Sequence, residues 1–140
     1  MRFLRPRPGE RRELLNKFHG ILKPDGSVLL DVYSLATFEQ REEAATYEAN
    51  QLDGFWSPNS YYGFLNTFKY EQEKVVSDRY TIIEPGRTKR IYNWLQYFAP
   101  EDLEREFEEA HLSVKAVDSD VAGTPYDRQS KEFAVIAGKV

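Results

Sequence analysis

The sequence predicts an α/β fold in which helices flank a partly parallel sheet that carries an antiparallel insertion. Three observations support this prediction. An amphipathic segment precedes the apolar run "SVLLDVY" at residues 27–33, three stretches rich in aromatic and β-branched residues follow, and a second amphipathic segment then leads into two apolar stretches. One domain is expected over residues 1–140, because this length builds one substantial core but not separate cofactor and substrate domains.

The first part of this domain, residues 10–34, is expected to be a helix and a buried strand. Apolar residues recur at helical spacing from Glu10 to Leu22, and Pro24 ends the helix before an Asp-Gly turn. The almost continuous apolar run at 27–33 is typical of a strand that is covered on both faces inside a mostly parallel sheet.

The second part, residues 35–98, begins with a predicted helix. Thr37 and Gln40 have the spacing of a capping box, and the acidic, alanine-rich "FEQREEAATYEAN" at 38–50 has helical composition. "YYGFLNTFKY", "KVVSDRYTII" and "TKRIYNWLQYF" follow, joined by the polar turns "EQE" and "EPGR", which predicts a three-stranded antiparallel meander. The aromatic residues Tyr62, Phe64, Phe68 and Tyr70 share one face, as do Tyr92, Trp94 and Phe98. We therefore expect another part of the structure or another molecule to pack on this aromatic surface.

The last part, residues 99–140, is expected to be one helix and a pair of strands. Pro100 stands at the first helical position of "APEDLEREFEEAHL" with acidic residues behind it. "SVKAVDSDV" and "EFAVIAGKV" then predict two strands, which a loop at 122–131 joins.

Composition excludes several classes of protein. The chain has no cysteine, so a disulfide scaffold and a Cys-ligated metal site are excluded, and a reducing cytoplasm is compatible. No apolar run suits a signal peptide or a membrane span, and a net charge of -4 favours neither nucleic acid nor acidic lipid as a partner. We therefore expect a cytoplasmic protein. The arginines among the first 12 residues predict a solvated helix start, with a phosphate or partner contact as the alternative.

Four motifs in this order resemble the C-terminal half of a class I (Rossmann-like) S-adenosylmethionine-dependent methyltransferase. "RRELLNKFHGILKPDGSVLLDVYS" is similar to that family's helix, turn and fifth strand, and "FWSP" with the meander resembles its substrate-side insertion. "YFAPEDLEREFEEAHL" resembles a later helix, and "GTPYDRQSKEFAVIAGK" resembles the closing strands, six and seven. The resemblance spans residues 11–139. His111 departs from it, because the family usually has glycine after this helix, where a left-handed conformation favours glycine.

The resemblance implies the acceptor side of a methyltransferase without its cofactor site. The family binds S-adenosylmethionine through a Gly-x-Gly loop, and the eight glycines of this chain include no such pair. The chain alone is therefore expected to bind no cofactor and to be inactive. In the family the fifth strand lies between the fourth and seventh, so residues 27–33 would keep one open edge. That edge is expected to mediate a homodimer or to receive the missing N-terminal half.

The resemblance also suggests residues for a small-molecule acceptor pocket, although it identifies no catalytic residue. Aromatic side chains suit this role, because their π faces attract cationic groups. The candidates are Tyr33, Trp56, Tyr61, Tyr92 and Trp94. Core packing is the alternative for Tyr92 and Trp94, and Asp31 is either a base or a carboxylate held by a structural partner. No metal site is expected, because neither His19 nor His111 has a second ligand at suitable spacing.

Two other interpretations stay open at this stage. The chain could be a non-catalytic module that binds a small ligand or dimerises through the same fold. It could also be an unrelated α+β domain with a similar order of elements. A strand at 27–33 that pairs antiparallel with residues 132–140 and parallel with no other strand would favour the methyltransferase interpretation, and another strand order would exclude it.

Overall fold

The computed structural model describes residues 7–140, so Arg2 and Arg5 of the N-terminal arginine cluster lie outside the described residues. The chain divides into two compact units. The core unit contains the described residues up to Gln40 together with Gln96–Val140, and the meander unit is Arg41–Leu95. The prediction of one domain over residues 1–140 stays a prediction.

The architecture is mixed α/β, as predicted. Within residues 7–140 the helices are α1 (Pro8–Ile21), α2 (Leu35–Gln40), α3 (Gln51–Gly54) and α4 (Pro100–Glu109). The strands are β1 (Ser27–Ser34), β2 (Ala44–Ala49), β3 (Tyr62–Tyr70), β4 (Val75–Glu84), β5 (Arg87–Phe98), β6 (Leu112–Asp118) and β7 (Glu132–Lys139). None of the described helices is long and apolar enough to cross a membrane.

In the core unit the strands follow the order β5-β1-β7-β6. β1 pairs antiparallel with β7, from Ser27 opposite Gly138 to Tyr33 opposite Glu132. β6 is antiparallel to β7 on its other side. Fifth, seventh and sixth strands in this order are what the methyltransferase resemblance implies. The end of β5 pairs parallel with the end of β1, at Tyr33 opposite Tyr97 and at Ser34 opposite Phe98. The expectation that β1 has no parallel partner is therefore wrong, because β5 continues to Phe98 beside the end of β1.

One face of this sheet packs against α1 and α4. The buried side chains that form this core include Leu15, Leu103, Phe107, Leu112 and Phe133, and Phe107, Leu112 and Phe133 have no exposed surface. Burying an aromatic or leucine side chain stabilises the fold by about 1.5–3 kcal/mol before entropy is counted. An ion pair of 2.8 Å between Arg11 and Glu106 also joins α1 to α4.

The other face of β1 is exposed, so the prediction that this strand is covered on both faces is wrong. Residues of β1 alternate between exposed and partly buried. Val28, Leu30 and Val32 pack on the core, whereas Leu29 is 51% exposed and Tyr33 is 45% exposed. The reason is that α1 and α4 pack on one face, whereas on the other face Phe38 of α2 packs on Tyr97 at the end of β5 and leaves Leu29 uncovered.

The meander unit has the strand order β2-β3-β4-β5, so the predicted three-stranded meander is present with a fourth strand at its edge. The predicted helix over 38–50 is wrong, because α2 ends at Gln40 and β2 pairs antiparallel with β3. Pairing along a whole strand outweighs the weak helical propensity of a short alanine-rich segment. Thr37 was predicted to accept a hydrogen bond as the helix cap, but this prediction is wrong. Its own backbone N–H donates to Ser34 Oγ at 3.4 Å, so Ser34 supplies the acceptor at the start of α2.

The end of α4 has the left-handed geometry that the resemblance associates with glycine. Ala110 caps the helix, and His111 follows with a φ of 58°. A residue with a Cβ is less stable than glycine in this conformation. The His111 ring lies edge-on to His19, with 6.2 Å between ring centroids.

Candidate functional site

A cleft of about 410 Å³ lies in the core unit at the carboxyl ends of β1 and β5. Its lining comprises Ser34, Leu35, Ala36, Glu39, Gln40, Phe98, Ala99, Pro100, Glu101, Tyr126, Arg128 and Gln129. In open α/β sheets, ligands bind outside the carboxyl ends of parallel strands. This cleft is therefore a candidate ligand site.

Ser34 organises one wall of the cleft. Its backbone N–H donates to the Lys131 carbonyl at 3.0 Å, and its hydroxyl donates to the Ser130 carbonyl at 2.5 Å. The Thr37 hydroxyl donates to the same Lys131 carbonyl at 2.6 Å. These bonds hold the loop before β7 against the start of α2.

The polar groups of the cleft include charges of both signs. Glu39 is on α2, Glu101 is in the first turn of α4, and Arg128 is in the loop before β7. All three are exposed, and no described residue forms a hydrogen bond or ion pair with their side chains. The cleft can therefore hold a polar ligand through carboxylate and guanidinium groups that are not already used in folding.

Tyr33 lies beside a second, wider depression of about 660 Å³, which the loop before β7 lines. The Tyr33 ring packs on Tyr97 at 5.6 Å between centroids. Asp120 in this loop accepts hydrogen bonds from the Thr124 hydroxyl at 2.6 Å and from the Thr124 N–H at 3.1 Å. The bond from the Thr124 hydroxyl is the main reason that the pKa of Asp120 is lowered. Asp120 therefore shapes the loop.

Trp56 and Tyr61 lie together in the meander unit. Tyr61 is buried, its hydroxyl donates to the Gln51 carbonyl, and it accepts from the Trp56 backbone N–H at 3.3 Å. The Trp56 ring packs on Tyr80 at 5.1 Å. Tyr80 is opposite Leu65 in the β3–β4 ladder. Tyr61 therefore positions the backbone of Trp56, and Trp56 leaves an indole N–H buried without a partner.

Tyr92 and Trp94 form a second aromatic group in the same unit. Their rings are stacked with an interplanar angle of 12° and 6.5 Å between centroids, and Trp94 also contacts Tyr70 at 5.9 Å. Tyr80, which packs on Trp56, lies on the same face of the sheet as its ladder partner Leu65. Side chains alternate between the two faces along a strand, so Tyr70 of β3 lies on the face opposite to Leu65 and Tyr80. The structure therefore brings Tyr92 to Trp94, but does not bring Trp56 to Trp94. Tyr33 belongs to the core unit.

A polar network that sequence reasoning missed lies in the meander unit. Arg41 Nη2 is 2.8 and 2.9 Å from the two carboxylate oxygens of Asp78, which also accepts from the Thr67 hydroxyl at 2.7 Å. Burial, followed by the charge of Asp78, raises the pKa of Tyr80. The only signal in the sequence is an acidic residue within "VVSDRY", and its arginine partner stands 37 positions away.

The chain has the fold of about half of an S-adenosylmethionine-dependent methyltransferase. It is similar to the CcbJ methyltransferase from Streptomyces caelestis, with a TM-score of 0.69 and 14% identity over 94% of this chain and 51% of that one. A methyltransferase from Clostridium acetobutylicum gives a TM-score of 0.64 and 11% identity, again over 94% and 51%. The sugar N-methyltransferase KedS8 from Streptoalloteichus gives 0.57 and 15%, over 94% and 50%.

The chain thus spans about half the length of these solved structures. No protein-family model matches the sequence, and the search of curated proteins found no match. At these identities the similarity establishes the fold, and activity is a separate question.

Proposed function

We propose that this chain is the acceptor-side half of a small-molecule methyltransferase that uses S-adenosylmethionine. The observation that carries the proposal is the fold match, which extends over 94% of the chain but only 51% of the CcbJ methyltransferase. The cleft at the carboxyl ends of β1 and β5 supports it, because that position suits a ligand in this class of sheet.

The cofactor site must then be completed by a segment outside this chain. The sequence has no Gly-x-Gly loop, which in this family lets backbone N–H groups approach the cofactor closely. When bound, S-adenosylmethionine supplies an electrophilic methyl group. The residues of this chain do not fit that cofactor by themselves, so we expect the isolated chain to be inactive. The proposed compartment is the cytoplasm, which the absence of cysteine suits.

In this proposal the aromatic side chains orient the acceptor, because methyl transfer depends mainly on proximity and orientation. Trp56 and the pair Tyr92 and Trp94 lie on opposite faces of the meander unit, so they are alternative proposed contacts. Tyr33 is the proposed contact in the core unit. Tyr61 acts through Trp56, since its buried hydroxyl bonds to the backbone next to that residue. The catalytic residue is not assigned.

The open edge of β1 is the proposed interface with the cofactor-side half. β7 occupies one edge of β1, and on the other edge the described pairing begins only at Tyr33, opposite Tyr97. Residues 27–32 therefore present unpaired backbone groups beside the exposed Leu29. An incoming strand can pair with these six residues until Tyr97 blocks its path.

A calorimetric titration with S-adenosylhomocysteine tests the proposal. The isolated chain should give no saturable heat at millimolar ligand, whereas the methyltransferase from Clostridium acetobutylicum, run in parallel as a full-length reference, should bind. Saturable binding by this chain would mean that it builds a complete cofactor pocket, which would refute its assignment as an incomplete half.

The second candidate function is a non-catalytic module that dimerises or holds a small ligand. The observation that favours dimerisation is the same open edge of β1. Sedimentation velocity over a range of concentrations separates the candidates. A dimer that Leu29→Asp dissociates would support the module, with Ile21→Asp as the control, because Ile21 is also exposed but lies at the end of α1. A monomer at every concentration would eliminate this dimer.

A further inference from the structure

The cleft at the carboxyl ends of β1 and β5 is bounded by three segments of the core unit. Parallel pairing places Ser34 opposite Phe98, so α2 and α4 begin next to each other at one edge of the sheet. The third segment is the loop before β7, which Ser34 holds through the carbonyls of Ser130 and Lys131. Side chains from all three segments line one space of about 410 Å³. This volume is within the range of small-molecule pockets.

Part of the cleft lining is apolar and open to solvent. The apolar members of the lining are Leu35, Ala36, Phe98, Ala99, Pro100 and the ring of Tyr126. Tyr126 is 40% exposed, and its ring is held edge-on against Phe133 with 6.3 Å between the ring centroids. An apolar lining with a few polar groups is typical of a small-molecule site. Because the Tyr126 ring is open to solvent, a ligand can reach it in the structure as it stands.

The charged groups of the cleft are not paired with one another. Glu39 on α2, Glu101 on α4 and Arg128 in the loop before β7 line the same space. Among the described residues, however, no ion pair joins Arg128 to either glutamate. The two carboxylates can accept hydrogen bonds from an ammonium group, and the guanidinium can donate to a carboxylate. A ligand with both charges can fill the gap between them, whereas a simple cation or anion would use only one side of the cleft.

We propose that this cleft binds a zwitterion of the amino acid type, whose apolar body packs on Tyr126 and the apolar lining. The ammonium group of the ligand binds Glu39 and Glu101, and its carboxylate binds Arg128. In taking this ligand to be the methyl acceptor, the inference rests on the proposed function. The binding itself does not depend on a cofactor, so the two can fail separately.

The test uses L-phenylalanine as the probe, because it carries both charges on an apolar body. L-phenylalaninamide lacks the carboxylate, and N-acetyl-L-phenylalanine lacks the ammonium group. Calorimetry with the full chain is run at about pH 6, below the pKa of the amino groups. Phenylalanine should saturate at millimolar concentration, and each analogue should bind about 3- to 10-fold more weakly, as expected when one hydrogen-bonded charge is lost. In a ¹⁵N-correlated NMR spectrum, phenylalanine should shift the backbone amide resonances of residues 34–40 more than those of residues 44–49.

Three variants and one control assign the two ends of the ligand. Arg128→Gln should weaken phenylalanine about 3- to 10-fold but should not weaken phenylalaninamide, which has no carboxylate. Glu39→Gln and Glu101→Gln should each weaken phenylalanine and phenylalaninamide about 2- to 5-fold, but not N-acetylphenylalanine. Glu108→Gln should change nothing, because it removes the same charge from an exposed position near the other end of α4, outside the cleft. All four positions are exposed, and far-UV circular dichroism confirms that each variant is folded.

Three results would overturn the proposal. They are no binding of phenylalanine at millimolar concentration, equal binding of phenylalanine and phenylalaninamide, and binding that Arg128→Gln leaves unchanged. The first would mean that the charges of the cleft are only solvated. Phenylalanine binding together with saturable S-adenosylhomocysteine binding would keep this site and refute only the assignment of the chain as an incomplete half. Failure of both ligands to bind would keep that assignment and refute this site.

Discussion

Replacing Asp78 by alanine should destabilise the meander unit strongly. The Asp78 side chain is 9% exposed and accepts from Arg41, whose side chain is 29% exposed, and from the buried Thr67 hydroxyl. The substitution removes the acceptor for both donors and leaves a small void. The network joins β3 to β4 and to the segment before β2, so its loss affects three neighbouring parts of the unit.

The magnitude follows from the two donors. A hydrogen bond to a charged group contributes about 1.5–3 kcal/mol when it is buried. The full value applies to Thr67, while the contribution of Arg41 is reduced because water screens a partly exposed side chain. The free energy of unfolding should therefore fall by about 2–4 kcal/mol. With a urea dependence of about 1.5 kcal/mol per molar, the unfolding midpoint should fall by about 1–3 M.

Urea unfolding followed by circular dichroism measures this change. Asp78→Asn should lose roughly half as much, because its carbonyl still accepts from Thr67. Glu109→Ala is the control, since it removes an exposed carboxylate that pairs with Arg12 at the same 2.8 Å, and it should cost no more than about 0.5 kcal/mol. If Asp78→Ala and the control have equal effects, the argument that the buried network stabilises this unit is wrong.

Three further predictions concern single positions. His111→Gly should stabilise the protein by about 0.5–1 kcal/mol and raise the melting temperature by a few degrees, because it removes the Cβ from a left-handed residue. Hydrogen bonds, chiefly from Arg87, lower the pKa of Glu84 below its usual value of 4.5. Glu84→Gln should therefore lower the free energy of unfolding, measured with urea, by its full amount above pH 4.5, and by less as the pH falls through the lowered pKa. A Cβ at Gly63 would lie 2.6 Å from Gln51 Cβ, so Gly63→Ala should lower the free energy of unfolding by about 1–3 kcal/mol. Adding Gln51→Gly should restore this stability, whereas adding Gln51→Ala should not, because alanine keeps the clashing Cβ. Restoration by both variants would contradict the clash.

Local sequence patterns were sufficient to predict most of the helices and strands. The helical spacing before Pro24 and the proline at position 100 predicted α1 and α4, and the turns "EQE" and "EPGR" predicted the meander strands. These signals span a few residues, so the sequence carries them directly. The motif order also predicted the antiparallel pairing of β1 with β7 that the structure shows.

The candidate site was less accessible from the sequence. Aromatic composition identified Trp56 and Trp94 as candidates, yet they lie on opposite faces of the meander. Whether they contact a substrate stays a prediction. Ser77 Oγ and Arg79 Nε are buried without a hydrogen-bond partner, and no sequence pattern indicates this. The reason is that the absence of a hydrogen-bond partner is a property of three-dimensional packing.

The sequence by itself determined the order of helices and strands, the absence of a glycine-rich cofactor loop and the methyltransferase-like fold class. Tertiary structure alone decided that the segment 44–49 is a strand, because pairing with β3 outweighs its helical propensity. It also decided that one face of β1 is exposed, since apolar composition does not tell whether a second layer covers a strand. Both outcomes depend on residues far apart in the chain, which no local pattern encodes.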